Sequence, residues 1–404
     1  VIKLSLVFYF LLLNSFSSPL WASAFDTGTG ADGACTEATL VSGKRTYNCT
    51  SLTISAAGDS DFFAQAGTLV TIKVEGSVTI NGTFNIGGAN GGNGSVADPI
   101  NGGTGGPGAS AGGTCNQGAN ACGTVAGDNN GLGLGAGLGA RAGTNNGFAG
   151  DGSGGGGGGG SFGALGSAGA SGVTNNAGSA GAAGSVGSLY ASQSTWETSF
   201  VGGSGGGSGG LGQESAGTTH RAGSGGGGGG AIRIMAAGDI TINGTLSSPG
   251  GNGGEGQIGT TPNQSDDGGC GGGGSGGAIW LQSAGNIINA GTLSAPEGTG
   301  GTCAAANNQG GAGGDGGSGR IRLDDSDGVI SNVGTISPAA LVTTLVIPSG
   351  TTALKREYEG DLSCGLVDFS DSSAPPSGPF QLVLTIFLFL SLSRFFKGLK
   401  QDSN

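Results

Sequence analysis

Four copies of one short unit constrain this chain more than any other feature. The first runs Val70-Thr71-Ile72-Lys73-Val74 and then, over residues 76–84, GSVTINGTF. The second runs Ala231-Ile232-Arg233-Ile234-Met235 and then, over 238–246, GDITINGTL. Ala278-Ile279-Trp280-Leu281 with GNIINAGTL at 285–293, and Arg320-Ile321-Arg322-Leu323 with GVISNVGTI at 328–336, complete the set. Each unit holds two short stretches of alternating apolar and polar residues, then a Gly-Thr step into a third. Alternation at period two is the mark of a strand with one buried face.

One unit carries too little apolar surface to fold alone, and stacking units buries a continuous core. Ile232 and Ile279 lie 47 residues apart, and Ile279 and Ile321 lie 42 apart, which is the spacing of a repeat architecture. The expected fold is therefore all-β: a parallel β-helix, or solenoid. Ile232/Ile279/Ile321, Ile234/Leu281/Leu323, Ile240/Ile287/Ile330 and Leu246/Leu293/Ile336 are its inward columns. Arg233, Trp280 and Arg322 share an outward column, where a cation–π ladder is expected. Asn289 and Asn332 share another. Residues 39–54 read as strand, turn, strand, with Asp26 to Cys49 as a polar cap over the open end.

Glycine supplies 98 of the 404 residues. No Gly-X-Y period runs through the chain and it has only 11 prolines, which excludes collagen. The glycine is concentrated in an insertion, residues 87–230, with unbroken runs at 154–160 and 225–230. Two readings fit it. It is flexible loop, or its segments are extended polyglycine-II-like strands bonded through their amides. The expectation is order beside the repeats and mobility at the loop tips. Inside this insertion residues 188–200 lack glycine. Tyr190, Trp196 and Phe200 there form either a carbohydrate-stacking surface or a buried plug, and the plug is favoured because large aromatics bury. With Arg233, Trp280 and Arg322 they make up the candidate binding surface.

The ends place the protein. Lys3, the apolar run Leu4 to Leu13 and Ala22-Ser23-Ala24 read as a secretory signal over residues 1–24. At the other end, residues 380–404 combine an apolar run with Arg394, Lys397 and Lys400, the order of an anchor or sorting tail with a cytoplasmic basic end. Between them the expected parts are a cap and first rungs (25–86), the glycine insertion (87–230), the repeats (231–340) and a stalk or linker (341–379). Of seven cysteines, the shortest loops pair Cys35 with Cys49, Cys115 with Cys122 and Cys270 with Cys303, though spacing alone does not fix connectivity. Cys364 is left over as a processing or modification point, or a free thiol.

The net charge of −12 becomes about −15 once the basic ends are set aside, so nucleic acid is excluded as a partner. His220 is the only histidine and has no marked catalytic partner. No C-x-x-C or phosphate-loop motif occurs, and residues 310–317 fail the calcium β-roll pattern because glycine stands where its apolar residue belongs. Asp266-Asp267 and Asp324-Asp325-Ser326-Asp327 are expected on solvated loops, with calcium binding second. No catalytic, cofactor or metal residue is assigned.

The runs TYNCTSLTISAAG, GSVTINGTFNIGGANGGNG and GGGGGGAIRIMAAGDITINGTLSSPGGNGG resemble glycine-rich, β-helix-type surface proteins of bacteria, over residues 35–96 and 222–340. The resemblance implies an extracellular structural or adhesive role and transfers no catalytic residue. The expected function is an exported cell-surface protein, at a bacterial envelope, that contacts extracellular polymers such as glycans and meets the membrane through its C-terminal segment. Two alternatives stand beside it: a secreted polysaccharide-active β-helix lyase or hydrolase, and a passive glycine-rich coat or matrix protein.

Overall fold

The computed structural model describes residues 25–40, 44–57, 59–61, 69–94, 101–115, 130–144, 151–175, 178–214, 219–259, 266–303 and 309–346. Residues 1–24, where a signal is expected, Cys122, Cys364 and residues 380–404, where an anchor or sorting tail is expected, lie outside them. Before the repeat come β1 (Ala34–Cys35), β2 (Thr46–Cys49), β3 (Ser51–Ile54) and β4 (Asp59–Asp61). The first copy of the unit gives β5 (Val70–Val74), β6 (Val78–Ile80) and β7 (Thr83–Asn85). Among the described residues the glycine insertion contributes only two-residue strands: β8 (Asp151–Gly152), β9 (Thr174–Asn175), β10 (Gly212–Gln213) and β11 (Thr219–His220). The later copies give β12 (Ala231–Ala236), β13 (Ile240–Ile242) and β14 (Thr245–Ser247), then β15 (Ala278–Ser283), β16 (Ile287–Asn289) and β17 (Thr292–Ser294), then β18 (Arg320–Asp325), β19 (Ser331–Asn332) and β20 (Thr335–Ser337). β21 (Leu341–Thr344) pairs with β18, so the sheet runs past residue 340, where a stalk was expected to begin.

The fold is all-β, and its three large sheets are parallel. Each takes one strand from every copy: β2-β5-β12-β15-β18-β21, β1-β3-β6-β13-β16-β19 and β4-β7-β14-β17-β20. Their register is the register of the sequence repeat. Ile232 faces Ile279, which faces Ile321, and Leu246 faces Leu293, which faces Ile336. β5 pairs with β12, placing Ile72 against Ile234, so the chain leaves for the whole glycine insertion and returns without losing register. The columns of isoleucine, leucine and valine from all three sheets pack into one core, which Tyr47 and Phe84 join. β15 is buried on both faces, like a strand covered by a further layer.

The glycine segments carry almost no strand assignment, yet their amides are bonded in strict rotation. Gly154, Gly157 and Gly160 donate to the carbonyls of Asp267, Cys270 and Gly273. Gly155, Gly158 and Ser161 donate to Arg141, Leu138 and Gly135, and Gly156 and Gly159 donate to Ala170 and Ser167. Three successive residues thus serve three different neighbours, and the fourth returns to the first. The 223–230 segment repeats the pattern against 269–275, 86–92 and 110–113. Excursions from the later copies join the same network: Gly250 and Gly253 donate to Pro296 and Thr299, and Gly251 and Gly254 to Gly227 and Ser224.

This arrangement explains where glycine is needed. Along 154–159 an added Cβ would fall well under 3.0 Å from the carbonyl oxygens of Gly210, Ala182, Ala312, Gly207, Ser185 and Asp315 in turn, so no face has room for a side chain. On the segment 164–173 only Gly166, Gly169 and Gly172 meet such neighbours, and the residues between them face water. Serine is the polar side chain the packed interior admits most often, as at Ser161, Ser204, Ser224, Ser248 and Ser275. Ordering a residue's backbone costs about 1–2 kcal/mol, while a net hydrogen bond returns about 0.5–1.5 kcal/mol. The glycine network therefore holds only with nearly every amide paired and with the apolar core fixing its ends.

At the N-terminal edge the Cys35–Cys49 disulfide ties β1 to β2, with Cα atoms 5.6 Å apart. Lys44 and the Asn48 amide bind Asp32, and Lys73 binds Asp26. The third expected disulfide, Cys270–Cys303, joins two glycine segments of neighbouring copies. Cys115 is disulfide-bonded as well.

Alanine substitutions separate inner from outer positions. At ordinary sites glycine to alanine stabilises by about 0.4–1 kcal/mol. Gly272→Ala would press a Cβ into the Gly158 carbonyl, and we expect a loss of about 3 kcal/mol or more. Ser171→Ala, on an exposed edge, should stay within about 0.5 kcal/mol of wild type. The midpoint of urea unfolding reads both.

Candidate functional site

The in-register pairing of β12, β15 and β18 sets Arg233, Trp280 and Arg322 side by side on the sheet face opposite the core. The Arg233 guanidinium carbon lies 4.0 Å from the Trp280 ring centroid and that of Arg322 lies 4.8 Å away, so the indole is sandwiched between two cations. This is the ladder the repeat spacing predicts. The face is covered, however. Trp196 and Phe200 pack on Trp280 with centroids 6.0 and 5.6 Å away and 4.7 Å from each other, and Phe162 packs on Tyr190 at 5.0 Å. Trp196 and Trp280 are fully buried. The glycine-free segment thus sits as a plug between the sheet and the glycine network, and its aromatic rings are turned inward.

A polar net locks the plug down. Arg322 bonds Glu197 at 2.7 Å, Asp324 at 2.8 Å and the Gln193 carbonyl at 2.9 Å. Arg233 Nε donates to Gln282 Oε1 at 2.7 Å, and Gln193 Nε2 donates to the Ile321 carbonyl at 2.7 Å. Asp324 is the hub: it also accepts from Trp280 Nε1 at 2.8 Å, Gln282 Nε2 at 3.1 Å and the Thr343 hydroxyl. Burial depresses the Arg233 pKa. Burial also opposes the charge on Arg322, but its bonds to Asp324 and Glu197 outweigh that and raise its pKa. Burial pushes the Tyr190 phenol up to about 12, against the pull of its Ser204 hydrogen bond and the Arg320 charge.

The acidic pairs do not solvate loops. Asp266, Asp267, Asp324 and Asp325 are all buried. Asp325 accepts the Ile287 amide of the neighbouring copy and the Asp327 amide, and Asp267 accepts those of Gly259 and Gln309. The expectation failed because carboxylate runs usually mark exposed turns, whereas here Asp325 and Asp267 take up backbone amides left unpaired by the strands and loops around them, and Asp324 is held by side chains. Glu255 plays the same part beside the Cys270–Cys303 disulfide, accepting from the Thr302 and Cys303 amides at 3.0 and 2.9 Å. Among the described residues the six candidate surface residues therefore form one structural cluster, while the disulfides stand apart from it.

Comparison with known proteins matches no family model, no curated protein and no solved structure. The buried Tyr190 hydroxyl gives the cluster a pH signature. An acid whose folded pKa is raised carries its full stability below the unfolded value, here 10.0, and loses it as pH climbs toward about 12. Wild-type protein should lose stability over that window. Tyr190→Phe should be less stable near pH 8, lacking the bonds to the Gly202 carbonyl and Ser204 at 2.7 and 2.8 Å, and should show a shallower alkaline fall. Unfolding curves from pH 8 to pH 12 check both.

Proposed function

We propose that the chain is an exported cell-surface protein, structural or adhesive, that displays its glycine network on a parallel β-helix. In this reading the three sheets are the sides of one solenoid. The rotating hydrogen bonds make the glycine segments polyglycine-II-type strands, and the plug seals the seam between the two parts. Export and a C-terminal anchor, whose segments lie outside the described residues, would place the body at a bacterial cell envelope. The resemblance to glycine-rich bacterial surface proteins points the same way, and the disulfides suit an oxidising compartment.

The observation that carries the adhesive part is the outer segment 131–143. Its inner-facing positions are glycine and alanine, while Leu132, Leu134 and Leu138 stand in solvent at 60%, 75% and 41% exposure. Leu134 lies in a turn that the Ala136 amide closes on the Gly133 carbonyl, Leu132 leads into it, and Leu138 follows it where the Gly131 amide meets the Gly137 carbonyl. A backbone held by hydrogen bonds on its covered sides, with leucines on its open side, presents a pre-ordered contact surface at little further cost in entropy. The enzyme alternative would need Asp324 and Asp325 open to a polysaccharide, and both are buried and bonded.

Purified residues 25–377 should bind cells or immobilised glycans saturably. Changing Leu132, Leu134 and Leu138 together to serine should weaken that binding about tenfold or more. Binding no better than that of a composition-matched scrambled chain would remove the adhesive role and leave a passive coat. Sugar release from a polysaccharide panel, abolished by Asp324→Ala, would establish the enzyme instead.

A further inference from the structure

A second cluster of polar side chains lies away from the plug. The antiparallel pairing of β10 with β11 sets Gly212 opposite His220, and the carbonyl of Asp266 passes so close to Gly212 that a Cβ there would clash with it. His220 and Asp266 are 1% and 0% exposed, and the imidazole Nε2 stands 3.2 Å from Asp266 Oδ2. Neither ring nitrogen and neither Asp266 oxygen has a hydrogen-bond partner. Glu214 brings a carboxylate oxygen within 4.8 Å of both groups. Burial raises the Asp266 pKa; His220 opposes that, and Asp267 and Glu214 add to it.

A plain His–Asp ion pair does not account for this arrangement. It would leave imidazole Nδ1 and Asp266 Oδ1 without partners inside the protein, where each unpaired polar group costs about 1–3 kcal/mol. It would also keep the Asp266 charge beside the Glu214 and Asp267 carboxylates, which oppose it, with Asp267 already committed to the Gly259 and Gln309 amides. One small dication placed among the donors would satisfy a histidine nitrogen and the Asp266 carboxylate together, with a Glu214 oxygen within reach as a third donor.

We propose that Glu214, His220 and Asp266 ligate one divalent metal ion. One imidazole with two carboxylates suits an ion that accepts mixed nitrogen and oxygen donors, Zn²⁺ first and Mn²⁺ next. The ion clips the β10–β11 hairpin to the glycine segment that leads into β15. The role is structural and independent of what the surface binds. The donors are 6 and 46 residues apart in sequence, so no metal-ligand spacing announces them.

The test uses the full chain, purified without reductant so that the Cys270–Cys303 thiols stay oxidised, and stripped with a chelator. Calorimetric titration with Zn²⁺, and separately with Mn²⁺, should find one equivalent of at least one ion, with a rise in melting temperature at saturation. Asp266→Asn and His220→Ala should each weaken binding by about tenfold or more, whereas Glu255→Gln should keep it. Metal-free Asp266→Asn should melt no lower than metal-free wild type, because it removes an unbalanced buried charge. Failure of wild type to take up either ion, or uptake unchanged in both ligand variants, overturns the proposal. So does a marked fall in the melting temperature of metal-free Asp266→Asn, since that marks an ion pair sufficient in itself.

Discussion

The backbone-to-backbone hydrogen bond between glycine segments too close to admit a Cβ is the interaction on which the rest of the structure depends. It dictates composition: the 154–160 run is all glycine because each of its three faces lies against another segment of the chain. It also dictates the need for an anchor. Glycine loses more freedom on ordering than any other residue, and one net hydrogen bond per residue only about offsets that loss. The columns Ile232–Ile279–Ile321 and Ile234–Leu281–Leu323 hold the ends of the segments in place.

Register passes from the sheets into the glycine network without a break. Where the strands end, side-chain bridges keep the same step. Asn90 accepts from the Asn252 amide and Asn252 from the Thr299 amide, at 2.8 and 2.9 Å. Asn93 accepts from the Glu255 amide at 2.9 Å, and Glu255 accepts in turn from Thr302 at 3.0 Å. The repeat and the glycine are thus one hydrogen-bonded system rather than a scaffold carrying loops. The plug around Trp280 fills the space where the two kinds of packing meet, and it is the place where large side chains and charges are concentrated.

Much of the fold was legible because parallel pairing repeats the sequence onto itself. The inward columns, the Arg233–Trp280–Arg322 stack and the Asn289–Asn332 bond at 2.8 Å all follow from aligning four copies. The glycine network was less legible. Its partners are set by which segments lie side by side in three dimensions, and glycine gives no side-chain pattern to align. One signal was present: Gly163, Gly166, Gly169 and Gly172, then Gly178, Gly181, Gly184 and Gly187, recur every third residue on outer segments with one covered face. The buried aspartates and the His220 cluster left no trace in sequence because their partners are backbone amides or residues far along the chain. Leu132, Leu134 and Leu138 likewise looked like part of the glycine filler until their segment was placed at the outside.

The account stands or falls on whether the glycine runs are ordered. Amide hydrogen exchange over 154–160, 225–230 and 269–277 measures this directly, because every amide there donates to a backbone carbonyl. Protection comparable to that of β12 and β15 is the predicted result. Exchange at the rate of an unstructured chain, while β12 and β15 stay protected, would contradict the account and reduce the glycine segments to flexible loops on a β-sheet core.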